Sequence, residues 1–151
     1  PSAAGLPKGM RVGQDWGGIL GYAHAHGVGA AVYSPLASWY LSDAGASGGD
    51  SHPLGYGVRS PESGAIGRHQ AQMLGFLSKN LHPDTQAGDH DLAQAALRYV
   101  LSLEGVTSVL GGFSDAQQVT ENAAASGPGG LSEENMARVE MVWRGNFSLD
   151  S

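Results

Sequence analysis

Apolar positions along the chain fall into two periods. Trp16, Ile19, Leu20 and Ala23 stand at i, i+3, i+4 and i+7, which is one face of a helix. Asp15 fits its N-cap, and Gly27, after His24 and His26, fits a left-handed stop. Gly17 and Gly18 loosen the first turn. Val28-Gly-Ala-Ala-Val-Tyr33 is then a short unbroken apolar run. It predicts a buried strand of a parallel sheet, ending before Pro35, which has no N–H to give a ladder.

Residues 38–65 are rich in Gly, Ser, Asp and Pro and have no period, so they predict a long loop, a lid or an excursion. Ile66, Met73, Phe76, Leu77 and Leu81 restore a helical pattern, punctuated by Pro83 and Gly88. Asp91 with Gln94 makes a capping box ahead of a helix over Leu92 to Leu101, with Leu97, Val100 and Leu101 on one face. After Gly105, Val106 to Leu110 predicts a second buried strand. Gly111-Gly112-Phe113 leads to Ser114, whose spacing to Gln117 makes a second capping box before a helix over 115–125. That helix breaks at Gly127-Pro-Gly-Gly130, and Ser132 caps a last helix through Met136, Val139, Trp143 and Phe147. Strands alternating with helices imply βαβ units and a parallel sheet within one α/β segment spanning 1–151. Two strands cannot complete such a sheet. The apolar faces ask for neighbours outside this sequence.

Composition narrows the class. Gly is 24 of 151 residues without a collagen period, and 41% hydrophobic against 15% charged is too apolar for a disordered acidic chain. No window reaches the roughly 18 apolar residues of a membrane span, and no basic-then-apolar leader is seen. Eight basic against 14 acidic residues, a net charge of −6, argue against a nucleic-acid surface. Zero Cys excludes disulfides, a thiol nucleophile and thiolate-bound zinc, and fits a reducing, cytoplasmic compartment. The sequence begins at Pro1 and its first Met is Met10, so either an initiator was trimmed or a longer polypeptide is involved.

Candidate chemistry gathers at two strand ends. In Leu110-Gly-Gly-Phe-Ser114 a strand runs through two glycines into a helix N-terminus, which favours an anion; the plain alternative is a tight turn whose backbone needs Gly. Tyr33-Ser-Pro-Leu-Ala-Ser38 offers a flat ring and two hydroxyls where parallel β/α folds collect ligands; the alternative is a buried Tyr and local turn bonds. The six His are scattered, and His24 and His26 point to different helix faces, so no metal site is expected. Neither a Gly-x-Ser-x-Gly elbow nor a Gly-x-x-x-x-Gly-Lys phosphate loop occurs.

Val32-Tyr-Ser-Pro-Leu-Ala37 resembles the seventh strand and following loop of aldo-keto reductases. The segments from Leu92 to Ser102 and from Val106 to Asn122 are similar to that family's last helix-strand-helix unit, and Leu131-Ser-Glu-Glu-Asn135 to the start of its closing helix. The resemblance implies the C-terminal portion, two parallel strands plus helices, of a TIM-type eight-stranded β/α barrel that binds NAD(P)H at the strand ends. By that resemblance Tyr33 would stack on the nicotinamide, and Ser34, the Leu36 backbone and Ser38 would hold the pyrophosphate. Gly112, Phe113 and Ser114 would line the adenosine phosphate pocket, with Gln118, Glu121 and Asn122 near the adenine. The family's proton donor Tyr and its Asp, Lys and His partners lie on earlier strands, so no catalytic residue is expected here. Family members selecting NADPH usually place Lys or Arg near the glycine turn, yet none occurs from Tyr99 through Ala137, which implies a weakened NADPH preference.

The expected function is thus the cofactor side of an oxidoreductase acting on a small-molecule carbonyl, with the remaining barrel in the same precursor or another chain. Two rivals stand beside it. One is a truncated, non-reducing descendant that self-associates or binds a partner through its open edges. The other is a cofactor-independent reaction using His52, His69 or Asp50.

Overall fold

The computed structural model describes residues 18–48, 61–81, 90–127 and 129–149. In order they form α1 (Ile19–Ala25), β1 (Ala30–Tyr33), α2 (Asp43–Ala46), α3 (Pro61–Met73), a 3-10 turn (Gly75–Leu77), α4 (Leu92–Leu101), β2 (Val106–Leu110), α5 (Ala116–Ala124), α6 (Glu133–Arg144) and a second 3-10 turn (Asn146–Ser148). The expected N-cap Asp15, together with Trp16, Pro83 and Gly88, lies outside the described residues.

Gly27 stops α1 in the left-handed region, at φ 68°. Its N–H donates to the His24 carbonyl at 3.1 Å and that of Val28 to the Ala23 carbonyl at 2.8 Å, the pairing of a Schellman end. Val28 is thereby committed to ending α1, and β1 begins only at Ala30. The two strands run parallel, with Val32 opposite Val109 and Tyr33 opposite Leu110. A register irregularity between Ala30 and Ala31 leaves Thr107 without a partner on β1, and its hydroxyl donates to the Ala30 carbonyl at 3.1 Å. Gly105, at φ 87°, turns the chain into β2, where any Cβ would sit 2.5 Å from the Leu20 carbonyl oxygen.

Burial along the strands corrects the expectation of two strands buried on both faces. Val32 and Val109 turn inward, whereas Ala31, Tyr33, Ser108 and Leu110 are exposed. Tyr33 is 78% exposed and Leu110 58%. Apolar residues on both faces express a demand for cover, and among the described residues helices meet it on one side only. The 38–65 stretch also holds more regular structure than a loop: α2 forms after its Ser42 cap, and α3 starts at Pro61. The helix expected to reach Leu81 ends at Met73 and tightens into the first 3-10 turn.

The core lies among the helices. Ala46, Ala71, Phe76, Leu77, Leu92, Ala95 and Val139 form one buried cluster, with Tyr40, Leu41, Tyr99, Leu131 and Val142 packed against it. Two polar devices lock it. Asp43 on α2 accepts from the Ser78 hydroxyl at 2.7 Å, the Leu92 N–H at 3.0 Å and the Asn80 amide at 2.5 Å. Arg98, only 7% exposed, donates to the Ala124 carbonyl at 2.9 Å and to the Gly129 carbonyl. A cation at the carbonyl-rich end of α5 is favoured by the helix dipole. Further along, the imidazole of His69 meets the Phe147 carbonyl at 2.7 Å, pinning a terminal turn whose residues 146–148 all have positive φ.

Arg98→Met removes two charge-assisted donors that tie α4 to the end of α5 and to Gly129, so urea denaturation should show a loss of about 2–4 kcal/mol. Tyr99 supplies a pH signature. Burial, and then the Glu140 carboxylate, raise its phenol above 10.0. The unfolded chain therefore releases that proton first, so the contribution is complete below the unfolded value and declines as pH rises through the folded one. Stability should fall at alkaline pH in the native chain, and Tyr99→Phe should flatten that slope in denaturant titrations at stepped pH.

Candidate functional site

The parallel register sets β1 and β2 tip to tip, so the segments after Tyr33 and Leu110 leave the sheet side by side at its C-terminal end. This is where parallel β/α folds place ligands. Two stretches far apart in sequence become one surface.

After β1 the chain takes a contorted path. Ser34, Ala37, Ser38 and Trp39 have φ of 55°, 48°, 58° and 84°. Four non-glycine residues in the left-handed region within six positions are a concentration of backbone strain, of order 1–3 kcal/mol each. The loop is held by the Ala37 N–H on the Ser34 carbonyl at 3.2 Å and the Leu41 N–H on the Leu36 carbonyl at 3.1 Å. Ser42 closes it, donating to the Trp39 carbonyl at 2.9 Å while accepting the Gly45 N–H at 3.1 Å. Gly45 is required there, because a Cβ would lie 2.4 Å from the Trp39 carbonyl oxygen. Tyr33, Ser34 and Ser38 are exposed, and Leu36 is half-buried.

The segment after β2 behaves differently. Neither Gly111 nor Gly112 has positive φ; a Cβ at Gly112 would meet nothing within 4 Å, and one at Gly111 only the Phe113 ring at 3.5 Å. The turn itself needs no glycine at either place, which removes the plain explanation for them. Phe113 is 50% exposed.

The cap of α5 forms one residue later than Ser114 and Gln117 predict, without a box closed on the N-cap N–H. Asp115 is the N-cap of α5, accepting the Gln118 N–H at 2.9 Å, and the Gln118 side-chain oxygen takes the Ser114 N–H at 2.8 Å. Gln117 instead donates to the Glu121 carboxylate at 2.6 Å. Asp91 does cap α4 through the Gln94 N–H at 2.6 Å, but the Gln94 side chain crosses to the Glu121 carbonyl at 2.8 Å rather than closing its own box.

Beside the turn, a cleft of about 280 Å³ opens between α4, β2 and α5, lined by Leu97, Thr107, Val109, Phe113, Val119 and Asn122 among others. It joins Phe113 and Asn122, while Gln118 and Glu121 do not line it. The strand tips thus bring together Tyr33 and the Gly112–Ser114 turn, and the cleft extends that surface to Asn122. Residues that sequence spacing did not single out are Ser42 and Asp43. A Ser followed by an acidic residue is a local helix-start signal for the first; the distant partners of Asp43 leave no such mark.

Among the described residues no group of three His, Asp or Glu is placed to hold a metal, and no helix is long and apolar enough to cross a membrane. His24 meets Glu104 at 3.5 Å on the surface, and His26 stacks on Tyr22. Of the groups considered for acid–base work, His52 and Asp50 lie outside the described residues, and His69 is engaged by the Phe147 carbonyl.

A sequence model of the aldo/keto reductase family matches residues 15–144. No curated protein matches the chain.

Asp115→Ala deletes the cap of α5 beside the turn. Urea denaturation should register a loss of about 1 kcal/mol, and amide exchange at Gln118 should rise while that of β2 stays unchanged.

Proposed function

The chain belongs to the aldo/keto reductase family, oxidoreductases that generally bind NAD(P)H, and we propose that it forms the cofactor side of such an enzyme. The observation that carries this reading is the pairing of Tyr33 with Leu110, which makes one surface of the two strand-end segments. On it the exposed Tyr33 ring offers a face for the nicotinamide, and Ser34, the Leu36 backbone and Ser38 offer donors to the pyrophosphate. The open space over Gly112 admits a close phosphate, and Phe113 and Asn122 frame a cleft of a size suited to part of an adenosine. Bound NAD(P)H supplies the hydride delivered to a carbonyl carbon. The chain's own residues orient the dinucleotide, and groups on further polypeptide protonate the oxygen.

That further polypeptide completes the eight-stranded barrel by covering Ala31, Tyr33, Ser108 and Leu110 and pairing with the strand edges. A second reading is favoured by the same bare face: self-association of a non-reducing module, with copies covering one another.

Cofactor choice follows from the α5 N-terminus. Its Ser114 and Gln118 N–H groups are already satisfied internally, and the Asp115 carboxylate adds negative charge there. A 2′-phosphate would meet repulsion without a compensating cation from this segment. Native mass spectrometry of the isolated particle, followed by equilibrium titration with NADH and NADPH, tests the reading. Bound dinucleotide and additional polypeptide, with NADPH held no more tightly than NADH, are expected. Homo-oligomers that bind neither dinucleotide would establish self-association instead, and an NADPH preference above about tenfold, 1.4 kcal/mol, would refute the argument from Asp115.

A further inference from the structure

Asp43, at the start of α2, is a polar group to which the cofactor reading gives no role, yet it makes three hydrogen bonds. It stands one residue beyond Ser42, which closes the strained loop from Ser34 to Trp39. Its Oδ1 takes both the Ser78 hydroxyl and the Leu92 N–H, and its Oδ2 takes the Asn80 amide. Ser78 is fully buried and sits at the end of the first 3-10 turn, and Leu92 opens α4. One carboxylate therefore fastens the end of the loop to two elements of the helical core. It also places a negative charge at the N-terminus of α4, where the dipole favours it.

A loop with four left-handed non-glycine residues relaxes unless its ends are held. At the β1 end it is held by strand pairing; at the other end it is held through α2, where Asp43 bonds Ser78, Asn80 and Leu92 and Gln72 donates to the Ala46 carbonyl at 3.1 Å. We propose that Asp43 is a positioning residue: through the Ser42 turn it keeps the 34–42 loop in the shape that presents Ser34, Leu36 and Ser38 to a dinucleotide, without touching the ligand itself. The proposal rests on the cofactor reading above for the identity of the ligand, and on the hydrogen bonds alone for the mechanics.

The test uses the full chain in the assembly in which it is isolated, carrying Asp43→Asn, Asp43→Glu or, as a half-buried polar control that joins another pair of elements, His69→Gln. Hydrogen exchange without ligand comes first. In Asp43→Asn the Ala37, Leu41 and Gly45 amides should exchange at least about tenfold faster, the equivalent of 1.4 kcal/mol, while Val109 on β2 keeps its native rate. NADH titration at a temperature where all variants remain folded comes second. Its Kd should rise about tenfold in Asp43→Asn, recover in part in Asp43→Glu, and stay within about twofold of native in His69→Gln. Unchanged loop exchange in Asp43→Asn overturns the proposal whatever the titration gives. A faster loop with unaltered NADH affinity overturns the positioning role and leaves the cofactor reading standing. A native chain that binds no dinucleotide overturns both. Equal weakening in His69→Gln and Asp43→Asn reduces Asp43 to a general stabiliser and also overturns the proposal.

Discussion

A parallel pair of strands has two faces and two edges, and among the described residues helices cover a single face. That shortage of cover explains more of the structure than any individual bond. Val32 and Val109 reach the helical layer, while Tyr33 and Leu110 carry apolar surface into solvent. Parallel sheets are ordinarily covered on both faces, and here the described helices leave one face of the pair open. The same exposure leaves the Tyr33 ring accessible at the strand end.

Helices carry the stability that the sheet lacks. Their core closes around Leu92, Phe76 and Val139 away from the strands, and two ionic groups knit it by means of backbone partners. Asp43 gathers donors at the start of α4, and Arg98 gathers carbonyls at the end of α5. Each charge sits at the helix end that the peptide dipoles favour. Neither has a charged partner in these contacts, so each binds through directional hydrogen bonds that fix the angle between elements as well as their distance.

Where the signal is local, the sequence was an accurate guide. Asp91 three residues before Gln94, and Gly105 before a β-branched run, located α4 and β2 with the bounds observed. At α5 two adjacent cap formers compete, since Ser114 precedes Gln117 and Asp115 precedes Gln118 by the same spacing. The carboxylate prevails, because an ionised acceptor makes the stronger bond to a helix N–H. Burial was misjudged for a different reason: apolar composition records what a residue would gain by being covered and carries no information on whether a neighbour is present. The bonds of Asp43 span 35, 37 and 49 residues, a separation at which no periodicity or motif survives. The candidate site was legible in its residue types through the family resemblance, but the adjacency of its two halves required the strand register.

The extra residue in β2 has a consequence for the strand ends. With Thr107 bulged and its hydroxyl fastened to the Ala30 carbonyl, the two strands cannot slide past one another by a residue without breaking that bond and reburying the wrong side chains. The pair is consequently a fixed ruler. Val32 therefore stays level with Val109 and Tyr33 with Leu110, and the two segments that follow the strands depart from a common height.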